Sequence, residues 1–70
     1  MAACSKLHRK AIDDYTRAIA LDNDYAEAYY NRALAHFIIY DKVSACSDLM
    51  RSKELGFEKA IEAIAYFCGR

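Results

Sequence analysis

Residues 11–21 read AIDDYTRAIAL and residues 45–55 read ACSDLMRSKEL. Offset by 34 residues, they match Ala11 with Ala45, Asp14 with Asp48, Arg17 with Arg51 and Leu21 with Leu55, and the match runs on to Ala26 and Ala60. The shared positions are 3, 3, 4 and 5 residues apart. A step near 3.6 returns to the same side of an α-helix, so what recurs is a helix face and not merely a composition. A fixed period of this length marks a repeat architecture.

Working outward from the repeat, the pattern predicts four helices. The first runs from about Ser5 to Leu21, with Ala11, Ile12, Tyr15, Ala18 and Ile19 in one stripe. Asp22-Asn23-Asp24 ends it with residues that bond their own backbone. The second runs from about Tyr25 to Ile39. Tyr29, Tyr30, Ala33, Leu34, Phe37, Ile38 and Tyr40 make it apolar on more than one side, so several neighbours should touch it. Asp41 is placed to cap a third helix over Lys42 to Leu55. Gly56 stands where a left-handed residue ends a helix, and a fourth helix covers Phe57 to Cys68. The short connections imply antiparallel neighbours.

Composition agrees. Proline is absent, glycine occurs twice, and Val, Ile and Thr total eight, which excludes a β-sandwich. Of 39 apolar residues 13 are alanine, so the core is thin, and 70 residues leave little room for an enzyme pocket. Ten basic and ten acidic residues cancel, removing the electrostatic case for nucleic acid or an anionic membrane. No apolar run reaches the ~18 residues of a membrane span. The first residues carry no hydrophobic signal core, so the expected compartment is the cytoplasm.

The 34-residue period with paired helices resembles the tetratricopeptide repeat. The stretch AEAYYNRALAHF, residues 26–37, has the family's aromatic at Tyr29 and its small residue at Ala33, and Ala45 is the alanine of the following helix. The resemblance implies one all-α domain over residues 1–70, an α-solenoid piece built of antiparallel helix hairpins. Residues 1–25 are then the second helix of a partial repeat, 26–59 a complete repeat, and 57–70 a closing helix overlapping its end. The stretch from Ser44 to Arg70 is similar to the C-terminal ends of bacterial arrays of this type. The sequence departs from the family at Arg32, where leucine is usual, at His36 and Leu49, where aromatics are usual, and at Tyr40, where a turn glycine is usual. Ser52 stands for an alanine and Phe57 for a closing proline.

The family binds peptides and protein segments on its concave side without catalysis, which implies a scaffold or adaptor with no cofactor. By the family's register Glu27, Tyr30, Asn31, Leu34, Phe37 and Ile38 face that side. Tyr30, Leu34, Phe37 and Ile38 then form an apolar strip with Glu27 and Asn31 as polar contacts. The strip is either a groove for a partner segment or is covered by neighbouring helices. The alternative function is a structural cap or homo-oligomerisation unit with no peptide ligand. Asn31-Arg32-Ala33 occurs in repeats that grip C-terminal carboxylates, but the basic residues such a clamp needs are absent from the matching places. The first helix lacks its usual partner, so its open stripe implies a homodimer or helix exchange.

Cys46 lies ten residues before Gly56 and Cys68 twelve after it. In an antiparallel hairpin their heights differ by about 3 Å, so a disulfide is possible. Without an export signal, two buried free thiols are the expected state. Cys4 and His8, four residues apart, make at most two metal ligands, which do not constitute a site. Nothing in the sequence places His36 beside a cysteine as a base.

Overall fold

The computed structural model describes residues 2–68, with side chains from His8 onward. Helix α1 covers Ala2–Leu21, α2 Ala26–Ile38, α3 Lys42–Glu54 and α4 Glu58–Ala63. A π-helical segment, Ile64–Cys68, continues α4. No strand occurs among the described residues, and the fold is an all-α series of helix hairpins.

Each connection follows from its residues. After α1, the Asp24 amide donates to the Asp22 carboxylate at 3.1 Å and the Tyr25 amide to the Asp22 carbonyl at 3.1 Å. These are the self-bonding turns expected of the Asp-Asn-Asp run. Helices α2 and α3 end alike. Gly56 has φ +92°, its amide donates to the Lys53 carbonyl at 2.9 Å, and the Phe57 amide donates to the Ser52 carbonyl at 3.1 Å. That pair of bonds is the Schellman arrangement, in which the left-handed residue prefers glycine. At the end of α2 the same bonds run from Tyr40 to Phe37 and from Asp41 to His36, but the left-handed residue is Tyr40, with φ +65°. Asp41 then caps α3, its carboxylate accepting the Ser44 amide at 3.2 Å.

Helix α2 is the centre of the molecule, with α1 packed on one side and α3 on another. Toward α3 and the closing segment, Ala33, Ala45, Leu49, Ala60 and Ala63 are buried. Tyr30, Phe37, Phe57, Ile64 and Cys68 pack around them. Four of the five buried residues are alanine, so the helices approach closely and the larger rings sit at the edges. On the far side of α2, Ala28 and Ala35 are buried, as is Ile19 of α1.

Two sequence expectations need correction. The fourth helix is not one uninterrupted α-helix, because it is α-helical only over Glu58–Ala63 and then widens by a residue per turn. The widened turn carries Cys68, bonded to α3, and Phe67, stacked on α2. The cysteines are not free: Cys46 and Cys68 form a disulfide with their Cα atoms 6.1 Å apart. Cys46, ten residues before Gly56, and Cys68, twelve after it, come to nearly the same height in the hairpin, as their spacing allows.

Candidate functional site

The six candidate residues on α2 divide into two groups. Tyr30 and Phe37 turn toward the closing segment. The Tyr30 ring lies 5.1 Å from that of Phe57, and the Phe37 ring 4.6 Å from that of Phe67. Glu27 and Ile38 are at the surface, with Ile38 53% exposed, and Asn31 and Leu34 are half-buried between them. Their spacing, 27, 31, 34 and 38, keeps these four on one side of the helix.

Beside them runs an open groove of about 570 Å³ between α2 and the closing segment. Tyr30, Ala63, Tyr66 and Phe67 supply apolar surface, and Lys59 and Glu62 line it as a cation and an anion. Tyr66 lies 5.0 Å from Phe67, ring to ring, and is largely exposed. The closing segment therefore covers part of the strip and also adds new aromatic surface to it. Lys59, Tyr66 and Phe67 were missed from the sequence, because their place depends on how α4 crosses α2. The only available signal was the aromatic pair at the chain's end.

A second polar feature also went unread. The Arg32 guanidinium donates to Asp48 through both arms, at 2.8 and 2.7 Å, and to the Thr16 hydroxyl at 3.1 Å. It thereby joins α1, α2 and α3. The two hydrogen bonds to Asp48 raise the pKa of Arg32 above its ordinary value, outweighing the opposing effect of burial. His36, one turn further along α2, places Nε2 3.6 Å from Asp48 and Nδ1 3.6 Å from Asp41. The Ser52 hydroxyl, fully buried, donates to the Ala26 carbonyl at 2.8 Å. Arg32, His36 and Ser52 are three of the departures noted above, and all three contact α2–α3 polar partners. With its guanidinium committed to Asp48 and Thr16, Arg32 is not free to hold a ligand carboxylate beside Asn31.

The two cysteines of the core are joined to each other. No group of three or more potential metal ligands occurs among the described residues. The Cys4 side chain lies outside the described residues, so the Cys4–His8 pair is not placed. No helix among the described residues is long and apolar enough to cross a membrane.

Stacked short helices with an open face on the central one define a helical-repeat protein. A family model described as "TPR repeat" matches residues 8–37, which span most of α1 and nearly all of α2. Over this stretch the chain is similar to the tetratricopeptide repeat family, whose repeats are non-catalytic and generally mediate protein–protein interaction. No curated protein and no solved structure matches the chain.

Proposed function

We propose that the chain is a protein–protein interaction module that presents the open side of α2 to a peptide or partner helix. Glu27, Asn31, Leu34 and Ile38 are the direct contacts, and Tyr30 and Phe37 hold the adjoining aromatic floor. The observation that carries this reading is the open groove lined by Tyr30, Tyr66 and Phe67, from which Leu34 and the exposed Ile38 follow Tyr30 along α2 at four-residue steps. An apolar strip rimmed by charge suits an amphipathic segment. The test is peptide-library selection against the intact protein, with affinities then measured for Leu34→Asp and Ile38→Asp. Selected peptides should bind the Ile38→Asp form about tenfold more weakly while its thermal unfolding is unchanged. Peptides that ignore both substitutions would refute the site.

A second reading, a closing cap without a peptide ligand, has its own observation: Phe57 and Phe67 already cover Tyr30 and Phe37. It predicts that no peptide is selected at all. The Cys46–Cys68 bond also favours an oxidising compartment over the cytoplasm expected from the sequence. Thiol alkylation before and after reduction, on protein taken from its own source, checks this. The account expects two of the three cysteines to be blocked until reduction.

A further inference from the structure

The contact between α2 and α3 supplies a template for the side of α1 that faces away from α2. On α3, Ala45, Asp48 and Ser52 are buried against α2. Their counterparts 34 residues earlier are Ala11, Asp14 and Ala18. On α1, Asp14 is exposed and Ala11 and Ala18 only half-buried. The same face carries Arg17, exposed, and Leu21, 90% exposed. Neither Asp14 nor Arg17 has an ion-pair partner among the described residues.

The α2–α3 contact has two halves. One is an Arg-Ala step on α2, Arg32-Ala33, and the other is an alanine with an aspartate three residues on, Ala45 and Asp48 of α3. Arg32 pairs with Asp48, and Ala33 and Ala45 are both fully buried in one cluster. Helix α1 carries both halves by itself, as Arg17-Ala18 and as Ala11 with Asp14. A helix holding both halves of an antiparallel contact is complementary to its own copy. When two α1 helices lie antiparallel about a two-fold axis, Ala18 meets Ala11 of the second copy in the register that sets Arg17 opposite Asp14 of the second copy. The axis repeats both contacts. Leu21 then lies along the aliphatic stem of Lys10 of the second copy.

We propose that this face of α1 is a self-association surface whose occupant is α1 of a second copy. It is held by two reciprocal Arg17–Asp14 pairs around a small-residue seam. The proposal is independent of the peptide site on α2. A single helix pair is a small interface, so the dimer belongs to the weak, concentration-dependent class.

The test is sedimentation equilibrium of the full chain, with Cys4→Ser throughout so that intermolecular disulfides play no part. The original sequence, Asp14→Arg, Arg17→Asp and the double exchange are compared over roughly 10 to 1,000 μM, a range that brackets weak interfaces. Both residues are exposed, and circular dichroism checks that each variant keeps its fold. Each single reversal puts like charges together twice and should weaken the dimer by about tenfold or more. The double exchange should restore it, and an equimolar mixture of the two single variants should form a heterodimer. A chain that stays monomeric throughout, or a dimer indifferent to the single reversals, would overturn the proposal.

Discussion

Arg32, Asp48 and His36 form the part of the molecule where single side chains matter most. A bidentate pair removed from water is costly to break, because the surviving partner keeps its charge without compensation. Arg32→Leu leaves Asp48 facing His36, and Asp48→Leu leaves Arg32 with the Thr16 hydroxyl and the Tyr29 ring. Each should cost about 2–3 kcal/mol in urea unfolding, and the double substitution should cost less than the two combined by about 1–3 kcal/mol. Additive losses would show that the pair contributes nothing to the α2–α3 contact. Ser52→Ala should cost about 1 kcal/mol, the ordinary worth of one hydrogen bond. These residues show how legible the sequence was at this scale. Ala33 and Ala45 were legible through the family resemblance, which puts small residues where the two helices of a repeat touch. The role of Arg32 could not, since a charged residue at an apolar position acquires meaning only once its partner on the next helix is known. The departures at Arg32, His36 and Ser52 were visible, but not that Arg32 and His36 share Asp48 or that Ser52 bonds the start of α2.

The helices themselves were legible because most of the connections carry a local signal. The Asp22–Asp24 turn, the Asp41 cap and Gly56 act within a few residues of chain, so sequence alone locates them. The turn after α2 breaks that rule, since Tyr40 adopts the left-handed conformation that glycine tolerates better. Its side chain is 95% exposed, so little packing is lost on removing it. Tyr40→Gly is therefore expected to stabilise the fold by about 1 kcal/mol, seen as a higher thermal midpoint. A lower midpoint would mean that the ring does something the structure does not show. The Asp41 cap gives a pH signature. Hydrogen bonds from Ser44 lower its carboxyl pKa below the ordinary 3.8. A carboxylate with a lowered folded value stabilises the fold above its unfolded value, and that gain is lost as pH falls through the folded one. The difference in thermal midpoint between the original chain and Asp41→Asn should hold at neutral pH and shrink below about pH 4. The widened Ile64–Cys68 turn was not legible, because it depends on Cys46 and Phe37, far away in sequence. Reduction of the disulfide, which spans 22 residues, should cost about 3 kcal/mol, measured by unfolding with and without reductant.

At the scale of the whole molecule, one helix contact explains the arrangement. It is closed between α2 and α3 and open on the far side of α1, and the 34-residue echo in the sequence marks both faces. The register placed all six candidate residues on α2, and within the fold they serve two purposes. Tyr30 and Phe37 are spent largely within the fold, and Glu27, Asn31, Leu34 and Ile38 face outward. That division was not legible, because it is set by the closing segment as it crosses α2. The central claim is that this outward side of α2, and not the opposite surface of the molecule, meets the partner. It is tested most directly by placing a photo-activated cross-linking residue at Ile38, and separately at Ser47 on the exposed side of α3, in the intact protein in its native setting. The account expects a discrete adduct with another protein from Ile38 and none from Ser47. Equal adducts from both positions, or an adduct from Ser47 alone, would contradict it.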